Sequence, residues 1–173
     1  GNGKTHLGVA ILREVITAGY KGRYVRAYDL FKAIKESWNS IGAKRGESEA
    51  AADFTKPDLL VLDEVGVQFN TDTERTLLFQ VIDTRYNDSL PTVVISNLPK
   101  PAADKQRDLA GNDWEPRRNP KDLEDAMGFR SYDRLTENGG QILVFKGESF
   151  RRNPNPDQIT APAAGLQETS WQA

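Results

Sequence analysis

The sequence predicts a three-layer α/β fold built on a mostly parallel sheet, and three observations carry that prediction. Four consecutive large aliphatics, Leu59-Leu60-Val61-Leu62, run straight into Asp63-Glu64, as suits a strand buried on both faces of a parallel sheet. The chain opens on Gly1-Asn2-Gly3-Lys4-Thr5 ahead of an amphipathic stretch, matching the final part of the phosphate-binding pattern G-x-x-x-x-G-K-[ST]. Apolar runs of strand length then alternate with stretches of helical period, the pattern of βαβ units.

Composition bounds the possibilities. The 173 residues suffice for one domain with a sizeable core, and 38% hydrophobic with 28% charged is ordinary for a globular protein. A net charge of −2 gives no bulk nucleic-acid signal, so contact with DNA or RNA calls for a local basic patch. The lack of cysteine excludes disulfides, thiolate metal sites and cysteine catalysis. No apolar run approaches the roughly 18 residues of a spanning helix, and a cytoplasmic location is the expectation.

Taken in order, residues 4–18 carry Leu7, Val9, Ala10, Ile11, Val15 and Ile16 as a helical stripe closed by Gly19. The N–H groups and dipole at the start of this helix favour anions. Lys4 can reach terminal phosphates, and the Thr5 hydroxyl is the expected Mg²⁺ ligand. His6, the one histidine, suits packing or capping more than catalysis, although it continues the loop stretch. The first glycine of the motif and the strand leading into it would precede Gly1, so the chain reads as cut inside the phosphate loop.

Residues 22–28 read as a second strand, before a helix capped at Asp29 with Leu30, Phe31, Ile34 and Trp38 on one face. From 40 to 53 the chain turns small and polar, which predicts a mobile connection; Lys44 and Arg45 lie in it. After the buried run come good N-cap candidates at 70–75 and an amphipathic helix through Leu77, Leu78, Val81 and Ile82 to about Tyr86. Residues 92–97 form another buried strand. Its polar end, Asn97, either orients a water beside a γ-phosphate or simply starts the turn before Pro99.

No period is sustained over 100–121, an irregular insertion in which Arg117 and Arg118 beside Trp114 read as a polar loop or as a nucleic-acid contact. Helix resumes over 123–137 with a break at Gly128, and 141–145 is a last strand. From Arg151 onward Pro154, Pro156 and Pro162 with few apolar residues suggest disorder.

The carboxylates Asp63 and Glu64 fall at the carboxyl edge of their strand, where open α/β sheets bind ligands. A Mg²⁺ ion with a phosphate tail would supply their counter-charge. Together with the Gly-Lys-Thr loop they predict a site for a nucleoside triphosphate.

Five stretches in order, Gly1-Asn2-Gly3-Lys4-Thr5-His6-Leu7, Leu60 to Gln68 with Asp-Glu-Val-Gly-Val-Gln, the helix 74–86, Ser96-Asn97-Leu98, and Tyr132-Asp133-Arg134-Leu135 followed by Gly147-Glu148-Ser149-Phe150-Arg151, resemble the AAA+ ATPases of the DnaC helicase-loader family. IstB, the transposition ATPase, is the near relative. The resemblance implies a P-loop NTPase sandwich with a five-stranded sheet, four strands encoded here, with a core over 1–152 and a tail over 153–173. It implies ATP and Mg²⁺ as ligands, self-association through the ATP site, and delivery of a DnaB-type replicative helicase onto single-stranded DNA. Alternatives are an IstB-like regulator of transposition or a nucleotide-dependent adaptor with little turnover. The implied roles are Gly1 to His6 around the phosphates, Thr5 and Asp63 on Mg²⁺, Glu64 on the attacking water, and Asn97 as γ-phosphate sensor. Arg134 matches an arginine finger acting on a neighbouring subunit, with Arg130 nearby, and Arg151 matches a residue sensing nucleotide in cis.

Overall fold

The computed structural model describes residues 2–39, 46–67, 71–102, 120–137 and 139–146. Three strands, β1 (Gly22–Arg26), β2 (Leu59–Val65) and β3 (Thr92–Ser96), form a parallel sheet in the order β1-β2-β3. Helix α1 (Lys4–Thr17) covers one face. The crossovers α2 (Ala27–Asn39) with α3 (Glu47–Thr55), and α4 (Asp72–Asn87), cover the other, followed by the short α5 (Leu123–Met127) and α6 (Phe129–Thr136).

The run at 59–62 is apolar throughout because both faces of β2 are packed. Leu59 and Val61 join Leu12 and Ile95 beneath α1, whereas Leu60 and Leu62 join Leu30, Phe31, Ile34, Leu77, Leu78 and Ile82 on the opposite side. Leu60, Val61 and Leu62 are fully buried, each contributing about 1.5–3 kcal/mol of transfer free energy. Gly8 allows α1 to lie close on the sheet, since a Cβ there would come within 2.6 Å of Ile95 and 3.2 Å of Val61.

Several expectations need correction. The second strand ends at Arg26 and not at 28; Ala27 and Tyr28 open α2, with Asp29 in the first turn rather than at the cap. Arg26 Nε donates to Asp29 Oδ2 at 2.7 Å across that junction. The connection expected over 40–53 contains α3, which forms because Ala50 and Phe54, spaced i to i+4, are buried against the core while Ser48 and Glu49 are exposed; residues 40–45 lie outside the described set. Residues 141–145 form no ladder. Ile142, Leu143 and Val144 are exposed, and the backbone of this segment finds no strand beside it among the described residues, because β3 pairs only with β2. Four strands were expected, and three form among the described residues.

Other elements follow expectation. Thr71 caps α4 through a capping box with Glu74. Gly128, at φ +81°, separates α5 from α6 where the break was expected. Most of the 100–121 insertion and all of the 153–173 tail lie outside the described residues. Among those described, no helix is long and apolar enough to cross a membrane.

Candidate nucleotide site

The site forms where the start of α1 meets the carboxyl end of β2. Gly3 occupies the N-cap of α1 at φ +87° and ψ 1°, a left-handed conformation that glycine adopts without steric cost. No side chain caps this helix, and its first turn holds no acidic residue, so its N–H groups and positive dipole end face an incoming anion unopposed. Lys4 Nζ donates to Asn2 Oδ1 at 2.9 Å, and Asn2 Nδ2 donates to the carbonyl of Phe145 at 3.3 Å. The amine therefore lies over the loop that precedes the helix.

Asp63 is 4% exposed, while Glu64 beside it is exposed. The Thr5 hydroxyl donates to Asp63 Oδ2 at 2.8 Å, joining the loop to the strand across 58 residues of sequence. The Tyr24 hydroxyl, from β1, donates to the same oxygen at 2.8 Å, and the Glu64 N–H donates to Oδ1 at 2.7 Å. Burial, then the hydrogen bond to Asp63 and the negative charges of Asp63 and Glu64, push the Tyr24 phenol up to about 12, so it stays protonated as a donor at neutral pH.

The two carboxylates diverge because β2 is irregular between them. Leu62 pairs with Val94 and Val65 with Ser96, three steps on β2 against two on β3, which is the signature of a bulge. Glu64 takes up the extra residue at φ +59°, a conformation that costs a non-glycine residue about 1–3 kcal/mol and clusters at functional sites. Asp63 thus stays on the α1 side with Val61 while Glu64 turns out to solvent.

Asn97 immediately follows β3 and is exposed. Its position is fixed through Ser96, whose hydroxyl donates to the Val65 carbonyl at 2.6 Å and accepts from the Leu98 N–H at 3.1 Å. The ends of β2 and β3 are therefore laced together one residue from Asn97. His6 is exposed in the first turn of α1, which carries no side-chain cap, so the packing or capping role expected of it is not what the fold uses. Arg134 lies on α6 beside α4, where its Nε is 3.2 Å from Asp83 Oδ1, its Nη1 3.4 Å from Glu137 Oε2, and its Cζ 4.5 Å from the Tyr86 ring centroid. Arg130 stands on the same helix with its Cζ 6.0 Å from the Phe79 ring. Gly1 and Arg151 lie outside the described residues, as do Lys44, Arg45, Trp114, Arg117 and Arg118.

Sequence reasoning missed Tyr24 and Ser96. Tyr24 stands opposite Val61 in the β1–β2 register, which puts it on the same face as Asp63; nothing local in 22–28 signals that. The donor set at Thr5 and Asp63 fits Mg²⁺, a hard cation that takes one or two protein oxygens, phosphate oxygens and waters. Among the described residues no cluster of three or more His, Cys, Asp or Glu could hold a metal alone.

A family model described as IstB-like ATP binding protein matches residues 1–156. The chain belongs to this family. The IstB-like chain is also 26% identical over 151 residues to the replicative helicase loader DnaC of Escherichia coli K12, covering 87% of this chain and 53% of the relative. It is 35% identical over 98 residues to the insertion sequence IS5376 putative ATP-binding protein of Geobacillus stearothermophilus, covering 56% of this chain and 37% of the relative. Among solved structures it resembles the crystal structure of the DnaC helicase loader, with a TM-score of 0.62 and 24% identity over 84% of this chain and 73% of that one. The expected AAA+ P-loop fold is thus the fold found. The IstB-like chain spans about half the length of the curated DnaC relatives it matches.

Proposed function

We propose that this chain is the ATP-hydrolysing unit of a helicase loader, active in DNA replication on a DnaB-type helicase and single-stranded DNA. The observation that carries the reading is the 2.8 Å contact between Thr5 at the head of α1 and Asp63 at the end of β2, which unites a phosphate-binding helix start with a carboxylate. Residues 1–152 serve as the core of this unit, with 153–173 as a tail.

The N–H groups at the start of α1 and the Lys4 amine bind the β- and γ-phosphates, with Gly1, Asn2 and His6 completing the loop. Thr5 and Asp63 hold Mg²⁺, which when bound neutralises charge on the phosphate oxygens. Glu64, turned to solvent by the bulge, accepts the proton of a water attacking the γ-phosphorus in line. The bond from that phosphorus to its bridging oxygen breaks, giving ADP and phosphate. Asn97 orients that water or contacts the γ-phosphate without adding charge, Arg134 of a neighbouring copy stabilises the transferring group, and Arg151 senses the nucleotide in cis. Such chemistry needs positioning and charge stabilisation more than covalent help.

Single-stranded DNA is bound weakly, in an ATP-dependent manner and with strong salt dependence, since neutralising its phosphates releases counterions. The test is nucleotide binding and ATPase activity of the full-length protein and its Glu64→Gln variant, with pull-downs against a replicative helicase and a transposase. Binding without turnover in Glu64→Gln and capture of the helicase are expected; equal turnover in both proteins overturns the catalytic assignment. The IS5376 relative, at 35% identity, favours a second reading as a transposition ATPase, and capture of the transposase alone would select it. Unchanged biological activity in Glu64→Gln would instead select an adaptor that uses ATP without needing to hydrolyse it.

A further inference from the structure

Asp63 is held by three donors that use different parts of its carboxylate. Oδ2 accepts from Thr5 and from Tyr24, both at 2.8 Å, and Oδ1 accepts from the Glu64 N–H at 2.7 Å. A carboxylate offers about four lone-pair sites, so Oδ2 is saturated and about one site remains, on Oδ1. Thr5 has a single hydroxyl proton, and giving it to Asp63 leaves the lone pairs of its oxygen turned outward. The Glu64 N–H is backbone and Thr5 belongs to the phosphate loop. Tyr24 is the donor that comes from outside both motifs, on the neighbouring strand β1.

We propose that Tyr24 is a positioning residue for cation binding: its hydroxyl fixes the Asp63 carboxylate in one orientation beside Thr5, the two residues that would hold a Mg²⁺ ion. The inference rests on the nucleotide-binding reading and adds to it a residue. Without the phenol, Oδ2 regains a free lone pair. The carboxylate can then turn about its Cβ–Cγ bond, and the arrangement of Thr5 beside it is no longer enforced. Tyr24 is 37% exposed, and its ring is not among the buried core clusters, so deleting the hydroxyl alone leaves no core cavity. Groups that orient a metal ligand from behind typically change metal affinity by 10–100-fold when removed. Two of the three donors survive in Tyr24→Phe, which places the expected effect near the lower end, about tenfold.

The experiment uses the full-length protein, a fluorescent ATP analogue and MgCl₂. Nucleotide binding is titrated with Mg²⁺, and separately measured in excess EDTA, for wild type and Tyr24→Phe, with thermal unfolding of both in EDTA. The expected result is about a tenfold rise in the Mg²⁺ concentration for half-maximal binding in Tyr24→Phe, with unchanged affinity in EDTA and a cooperative unfolding transition. The same Mg²⁺ requirement in both proteins overturns the inference while leaving the nucleotide reading intact. Loss of affinity in EDTA, or loss of the folded state, assigns Tyr24 to nucleotide contact or to folding and also overturns it. A wild type that binds no nucleotide with Mg²⁺ overturns both the inference and the function on which it rests.

Discussion

Arg85 donates through Nη1 to the carbonyl of Pro57 at 2.7 Å, from inside the protein and with no exposed surface of its own. The same nitrogen reaches the carbonyls of Phe54 and Thr55, Nη2 reaches that of Pro91 at 2.6 Å, and Nε reaches Thr92 Oγ1 at 2.9 Å. One guanidinium therefore binds the end of α3 to the starts of β2 and β3, at the opposite edge of the sheet from Asp63. Burial pushes it down to about 10, against the pull of Asp58 and Asp88, so it remains charged at neutral pH. Arg85→Met takes this donor from the buried carbonyls of Phe54, Thr55 and Pro57, while the Pro91 carbonyl keeps the Leu60 N–H, and is expected to destabilise the full-length protein by about 3–5 kcal/mol. Arg85→Lys, with three donors and no planar fork, recovers only part of that. Denaturant unfolding of the two variants checks this, and a loss under 1 kcal/mol in Arg85→Met would show the clamp to be redundant.

Glu64 presents a trade between stability and turnover. Its left-handed backbone is strained for any residue with a Cβ, so Glu64→Gly is expected to raise stability by about 0.5–1 kcal/mol while removing the carboxylate that faces the water. Glu64→Gln keeps the strain and removes only the charge. Both variants are predicted to lose ATP turnover, with a higher unfolding midpoint in Glu64→Gly alone. An equal or lower midpoint in Glu64→Gly would mean that the bulge is not a source of strain.

The pH behaviour of Tyr24 follows from the sign of its shift. The phenol is raised from 10.0 to about 12 in the folded chain, so the folded state holds its proton more tightly than the unfolded state does. That contribution to stability is fully present below pH 10 and is lost as pH rises toward 12. Between pH 6 and 9 the difference in unfolding midpoint between wild type and Tyr24→Phe, measured without metal, is expected to stay constant. A difference that varied across that range would assign the titration to another group.

The part of the site written in contiguous residues was legible in the sequence. Gly3-Lys4-Thr5 and Asp63-Glu64 each carry their own signal, because a phosphate loop and a buried strand ending in acid are local patterns. Tyr24 was not legible, since its bond to Asp63 depends on a β1–β2 register that only tertiary pairing fixes. The helix α3 was hidden for a different reason: in its nine residues two small alanines and Phe54 supply the buried face, too few for a period to stand out from polar neighbours. At Ala27 and Tyr28, β propensity pointed one way and the packing of α2 against the sheet decided the other. Residues 141–145 have the composition of a strand, but a strand exists only where a partner lies beside it.

Arg134 has two possible employments, and its surroundings define the test between them. In the chain itself it lies against α4, paired with Asp83 and stacked on Tyr86, solvent-screened contacts that contribute little to stability. As a packing residue, Arg134→Ala would lower stability slightly and leave turnover almost unchanged. As a finger acting on a neighbouring copy, the same variant would lose about 10³ to 10⁵ in turnover while binding ATP normally. A mixture of the full-length Glu64→Gln and Arg134→Ala variants separates a finger in trans from one in cis. Where an Arg134→Ala copy supplies an intact Glu64 and its Glu64→Gln neighbour supplies an intact Arg134, one complete site forms between two defective chains, and ATPase activity is expected to return. If subunits exchange and the mixture stays as inactive as either variant, Arg134 works within its own chain, and Asp83 and Tyr86 are then the contacts that hold it there.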